Sequence, residues 1–380
     1  MKPMIENYER TFDTFSNTFT NYEIRNVVFS NRIVFPAVAT GYANPDGSAS
    51  ERLKRFYESM AGSGAGMIIL GATAVAENGS IVKNCSRIDR DEHIDGTKEL
   101  LDIIKKASSV AGIQLNHGGR QTTKFRTGGV PTVAPSAIRC PVNGEMPREL
   151  SLGEIKSLEA DFVEAAQRAA KAGADYIEFH GARGYLINQF LSPFSNKRSD
   201  KYGGSLENRA RFALNIVKKA RQLVGDQVIL GFRMTAMEFV ENGFTLEETI
   251  RLASWLKDAG IDMINLLVGI AADKLEDRER AREDGLLEQA AATIKKEVQI
   301  PIIGGGGIAS LDQAESIVQA GSLDFAAICR ALIADPFFIE KSLDKRSGKI
   351  VACLNCRKCL GSIMDENGDG LKCQQNTDLP

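Results

Sequence analysis

An α/β chain whose strands close as a (β/α)8 TIM barrel, followed by a cysteine-rich C-terminal segment, is what this sequence predicts. Three observations lead there. Short continuous apolar runs alternate with helix-like runs eight times along the chain, and strands buried on both faces of a parallel sheet read in this way. Polar and glycine-rich stretches follow several of the apolar runs, at the strand ends where barrels carry their chemistry. Four of the seven cysteines crowd into Cys353–Cys373, after the last strand. A doubly wound open sheet shares the alternation, and strand counting does not exclude it.

The elements follow in order. Met1 to Thr20 is polar and irregular and is expected to form an arm over the outside of the barrel. The run Arg32 to Val38 is a first buried strand, Ser50 to Ser63 a helix with Ser50 as its N-cap, and Met67 to Leu70 a second strand. Thr97 to Ser108 is a helix and Gly112 to His117 a third strand. Val130 to Pro147 holds four of the eleven prolines and reads as an insertion over the active face. Ser151 opens a helix to Ala172 with a Ser-x-x-Glu capping box. Asp175 to Phe179 is a fourth strand, and Ser205 to Leu223 a helix with Leu206, Phe212, Ile216 and Val217 on one stripe. Gln227 to Arg233, Asp262 to Val268, Ile300 to Ile303 and Phe325 to Cys329 complete the strands. Helices lie at Thr245 to Ala259, Leu286 to Val298 and Leu311 to Ala320. The charged run Ala271 to Glu283 reads as a solvated loop or helix face.

The 380 residues are 43% hydrophobic, enough for a large core, and the formal charge of −2 offers no basic surplus for nucleic acid. No apolar run reaches the ~18 residues of a membrane span, and the N-terminus is too polar for a secretory leader. The cytosol is the expected compartment, and clustered cysteines there point to a metal rather than to disulfides.

The long polar stretch between the fourth strand and the following helix carries the chemistry. It starts at His180-Gly-Ala-Arg-Gly-Tyr and runs through Asn196 to Arg211. Tyr185 is a phenol, protonated near neutral pH and able to give up a proton, while His180 and Arg183 can donate hydrogen bonds to a carbonyl or carboxylate. Taken singly, a His or Tyr is more often a core residue. The stretch as a whole resembles the active-site segment of the Old Yellow Enzyme family of FMN-dependent ene-reductases. It is most like the iron–sulfur branch, which includes 2,4-dienoyl-CoA reductase and trimethylamine dehydrogenase. The resemblance extends from Asn31 to Asn376 and favours the closed barrel over the open sheet.

The resemblance implies FMN contacts at Pro36, Ala37, Val38 and Ala39 beside the reactive nitrogen and at Ala72 on the end of the second strand. It also implies Gln114 at the pyrimidine edge and Arg233 beside N1. Gly304-Gly-Gly-Gly-Ile-Ala309 fits the loose dinucleotide pattern, but Asp324 stands at the start of the next strand rather than at its end, and seven strands already precede the motif. The better reading is the phosphate loop after the seventh strand, with Gly305 and Gly306 presenting bare backbone N–H groups and Cys329 and Arg330 following the eighth strand. A tight turn is the plain alternative. By the same resemblance Tyr185 is the proton donor and His180 a substrate-binding histidine. Two departures stand out: Ala39 replaces a Thr or Cys, and Arg183 replaces an Asn or His.

Cys353, Cys356 and Cys359 form a Cys-x-x-Cys-x-x-Cys arc with Cys373 beyond it, a spacing that suits a [4Fe–4S] cluster and also a structural zinc site. The resemblance favours the cluster. The expected organisation is therefore an FMN-binding barrel over 1–345 and a [4Fe–4S] segment over 346–380. The expected activity is hydride transfer to the C=C bond of an unsaturated acid, thioester or carbonyl compound. The rivals are an amine dehydrogenase of the trimethylamine type and an electron-transfer subunit of a larger flavoprotein complex. Reducing equivalents are expected from NAD(P)H, directly or through a separate donor flavoprotein, because no dinucleotide domain follows the cysteines. The other expected partners are a small unsaturated molecule and further copies of the chain in a homo-oligomer.

Overall fold

The structure, a computed structural model, describes residues 12–380. Eight parallel strands close on themselves, each paired with its neighbours in sequence order, so the open-sheet alternative falls. They are Ile33–Phe35, Met67–Ala74, Val110–Asn116, Tyr176–Gly181, Ile229–Thr235, Met263–Leu267, Ile302–Gly304 and Phe325–Ala327. Nearly every residue of these strands is buried, as the apolar runs required.

Helices cover the outside. Glu51–Ala61 is capped by Ser50, whose side chain accepts from the Leu53 N–H. Leu152–Lys171 begins with the Ser151–Glu154 capping box, and Leu246–Ala259 with a second one from Thr245 and Glu248. Each box satisfies two N–H groups that a helix start leaves open. Leu206–Val224, Leu286–Val298 and Leu311–Gln319 also fall where the periodicity placed them, and the charged run contains the helix Leu275–Glu283.

The barrel floor was not legible in advance. Tyr22–Ile24 and Val27–Phe29 form a short antiparallel hairpin. Its Ile24 and Phe29 join Val34, Met67, Ile229, Met263 and Phe325 in an apolar plug inside the barrel. Phe29 meets Phe325 with ring centroids 5.0 Å apart. The part of the expected N-terminal arm that is described does lie outside: Asn17 and Thr18 bind Glu315 on the Leu311–Gln319 helix. The rest of that arm lies outside the described residues. Val130 to Pro147 is mostly irregular, with Val133–Ala134 pairing to Arg148–Glu149. Among the described residues no helix is long and apolar enough to cross a membrane.

Candidate active site

The barrel puts the predicted residues at one end. Pro36 to Ala39 follow the first strand, Ala72 and Gln114 lie in the second and third, His180 and Arg233 in the fourth and fifth. Gly305 and Gly306 follow the seventh strand and Cys329 and Arg330 the eighth. Register does the positioning: Gln114 pairs with Glu178, and His180 with Arg233, which on its other side pairs with Asn265.

A carboxylate overlooked in the sequence sits under the site. Glu178 is fully buried and accepts from Gln114 Nε2 at 2.6 Å, Tyr176 OH at 2.7 Å and Asn265 Nδ2 at 2.9 Å. Burial, then the Glu178 charge, raises the Tyr176 pKa well above its ordinary value. Gly231 makes this possible, since a Cβ there would lie 2.0 Å from the Tyr176 hydroxyl. The one signal available beforehand was an acid in the middle of an apolar strand.

His180 and Tyr185 meet edge to face with centroids 5.0 Å apart. Burial, then the Arg233 and Arg183 guanidiniums, push the His180 pKa well below the imidazole range, so the ring is neutral. Its Nδ1 accepts from the Ala182 N–H at 3.4 Å, which leaves Nε2 as the N–H donor. Burial raises the Tyr185 pKa and keeps the phenol protonated. Arg183 has a left-handed φ of 64°, and its N–H donates to Thr235 Oγ1 at 3.2 Å. Burial, then Arg233 and Arg278, lower its pKa to about 10, so it stays charged near neutrality. The next turn is braced by Asn188, which accepts from the Gly184 N–H at 2.6 Å and donates to buried Glu238 at 2.9 Å. His117, a further buried histidine, is structural: its Nδ1 accepts from the Gly119 N–H and its other nitrogen faces Asn78 Oδ1 at 3.0 Å.

Ala39, Ala72 and Tyr185 converge on one small apolar cluster with Cys85, Ile363 and Met364. The last two come from the cysteine segment, whose helix Lys358–Met364 thus forms part of the same wall. That segment is also tied down elsewhere. The Leu371 N–H donates to Thr40 O at 2.7 Å, Arg126 Nη2 to Met364 O at 2.8 Å, and Asn376 Nδ2 to Ile333 O at 2.8 Å.

The site fits FMN on observations of its own. Arg233 Nε is buried at the mouth with no partner. No atom lies within 4 Å of a side chain built at Gly306, whereas one at Gly305 would strike Ala327 O at 2.5 Å. A side chain at Gly307 would meet Arg282 Nη1 at 3.3 Å and Arg330 Nη2 at 3.8 Å, so two guanidiniums flank the loop, and Arg282 was not foreseen. Asp324 is a structural anchor, as its place at a strand start implied: it accepts from the Ile302 N–H at 2.9 Å and Lys295 Nζ at 2.8 Å.

Cys353, Cys356, Cys359 and Cys373 line a single, partly open pocket with Arg330, Ile333 and Arg357. Among the described residues no group of three or more His, Cys, Asp or Glu is drawn together as a metal-ion site. The thiols therefore share a pocket without being gathered on one point. Burial raises the Cys359 pKa, with Cys353 and Cys373 adding to it, and burial pushes the Cys329 thiol up to about 12. Arg330 donates to Asn355 Oδ1, linking the end of the eighth strand to this segment.

Comparison with known proteins decides the family. Residues 17–348 match the NADH:flavin oxidoreductase / NADH oxidase family. The chain belongs to that family. It is thereby one of the FMN-dependent oxidoreductases, and the family match ends before the cysteine segment. A relative described as an NADH oxidase, from Thermoanaerobacter brockii, is 42% identical over 356 residues, which is 93% of this chain and 55% of that protein. An NADPH dehydrogenase from Clostridium acetobutylicum is 36% identical over 325 residues, 85% of this chain and 94% of the relative. A solved 2-naphthoyl-CoA reductase complex superposes with a TM-score of 0.88 at 27% identity, over 96% of this chain and 57% of its own. The chain thus spans little more than half the length of the first and third.

Proposed function

We propose that this chain is an ene-reductase that adds hydrogen across a C=C bond conjugated to the carbonyl of an acid or thioester. Bound FMN, held by Gln114, Arg233, the Gly305–Gly306 loop and Arg330, would supply the hydride taken up at the β-carbon. His180 and Arg183 donate to the carbonyl oxygen and offset the negative charge that develops there. Tyr185 gives its proton to the α-carbon, so the double bond becomes single and the flavin is left oxidised. The observation that carries this reading is the contact of Tyr185 with neutral His180, on the wall shared with Ala39 and Ala72. A dehydrogenase for cationic amines is disfavoured because Arg183 would repel its substrate.

A [4Fe–4S] cluster on Cys353, Cys356, Cys359 and Cys373 belongs to the proposal. Four sulfur donors around one pocket, with no His or carboxylate among its lining residues, support it. Its chemistry would be single-electron transfer. NAD(P)H-linked supply of electrons fits the family, and a separate donor protein is the form proposed for it.

The test is the Tyr185→Phe variant in half-reactions. Flavin reduction should be unchanged, and reoxidation by an α,β-unsaturated substrate should slow by about 10²–10⁴, the range of a lost general acid. Reoxidation at the wild-type rate would remove Tyr185 from the mechanism.

A further inference from the structure

The loop after the sixth strand contributed no site residue to the sequence reading, yet it brings cations to the mouth. The Ala271 N–H approaches Arg183 O at 3.5 Å, which sets this loop beside the proton-donor segment. Two residues on, Asp273 is buried and accepts from the Ile270 N–H at 2.5 Å and the Phe239 N–H at 3.1 Å. The helix Leu275–Glu283 then carries Arg278 and Arg282 four residues apart, on one face. Arg282 reaches the Gly307 loop beside Arg330. The stem of Arg278 lies over Gly269, where a side chain would meet Arg278 Cγ at 3.0 Å and Asp273 Oδ2 at 2.6 Å.

Arg183 and Arg278 both lie within electrostatic reach of Asp273, whose oxygens already serve two backbone N–H groups. Arg278 Nε is itself buried without a partner. Two guanidiniums sharing one occupied carboxylate leave a surplus positive charge and an unused donor on Arg278, while Arg183 lies within electrostatic reach of both Arg278 and Tyr185. A buried donor in that state is costly unless a ligand satisfies it.

We propose that Arg183 and Arg278 form a two-arginine clamp for the carboxylate of an enoate, with Arg278 as a specificity-determining residue. The inference rests on the ene-reductase reading above and selects the acid from its substrate classes. The chemistry needs a second cation. Hydride addition beside a carboxylate builds further negative charge on a group that already carries one, and a single guanidinium offsets only part of it. A neutral enone makes no such demand.

Binding to the oxidised holoenzyme tests this, with cinnamate and cinnamamide as probes followed by the flavin absorbance. Arg278→Gln should weaken cinnamate by about 10- to 100-fold and cinnamamide by less than about threefold, the cost of losing a charged hydrogen bond to one ligand only. Arg278→Lys should recover part of the loss, which a merely misfolded loop would not. Should Arg278→Gln bind cinnamate as the wild type does while Arg183→Asn loses it, the clamp is wrong and the enoate reading stands. Equal weakening of both probes would also overturn the clamp, by making Arg278 a structural residue. A wild type with no preference for cinnamate would remove the enoate reading and the clamp together.

Discussion

The flavin end of the barrel and the cysteine segment are built on opposite principles. At the barrel end the functional groups sit on strands whose register fixes their height, as Gln114, His180 and Arg233 do, or just beyond the strand ends, and buried partners hold them in place: Glu178 holds Gln114, and the Arg183 backbone is pinned to Thr235. The cysteine segment has one short helix among its described residues, Lys358–Met364, with no buried side chain in it. Cys356 is exposed, and the segment is held by separate contacts to Thr40, Arg126, Ile333 and Glu279. One region is organised before any ligand arrives. The other has an irregular backbone tied down side chain by side chain, at Tyr42, Arg52, Thr123 and Asp335 as well, and binding at its thiols would add to that order.

That contrast is exposed to three measurements. The largest effect is expected at Cys356→Ser. Iron and acid-labile sulfide should fall to near zero and protease cleavage within 350–375 should rise by more than about tenfold, with FMN content unchanged. Stoichiometric zinc without sulfide in the wild type would replace the cluster by a structural ion, and unchanged proteolysis would break the contrast itself.

Acid should strike the barrel next. Burial lowers the His117 pKa from 6.5 to about 4 and moves His180 in the same direction. Above pH 6.5 both rings are neutral folded and unfolded, so neither changes stability with pH. Below it the unfolded chain takes up protons that the folded chain refuses. Stability is then lost at about 1.4 kcal/mol per pH unit for each histidine, down to about pH 4 for His117. Urea midpoints of wild type and His117→Asn between pH 7 and 4 read this directly, and parallel slopes would dismiss His117.

The smallest change is Ala39→Thr. A hydroxyl donor there would stabilise the electron-rich reduced ring, so the FMN potential should rise by about 10–30 mV, the equivalent of one ordinary hydrogen bond in a two-electron couple. A potential that stays put or falls would place Ala39 away from the flavin carbonyl.

How much of this was legible in the sequence depends on whether a signal was local. Parallel strands announce themselves because both faces are apolar, and Ser151 and Thr245 mark helix starts within four residues. The residues expected at the strand ends came instead from the resemblance, position by position, since no local signal marks them. Glu178 and Asp273 were not legible, because an acid reads as solvated until a fold shows donors converging on it. Nor could spacing reveal that Ile363 and Met364 pack beside Tyr185, a contact made only when the segment folds back over the barrel. The floor hairpin escaped because its strands are three residues long and carry no turn signature strong enough to mark them.

That hairpin has a consequence for traffic. With Phe29, Phe325 and their apolar neighbours filling the lower barrel, that end is packed shut. On the function proposed above, a reductant that delivers hydride by direct contact and an alkene that collects it would both approach from the opposite end and compete for it. Products leave by the route that reactants entered. Crowding with either partner should slow the exchange, so an excess of one would inhibit by standing in the other's way.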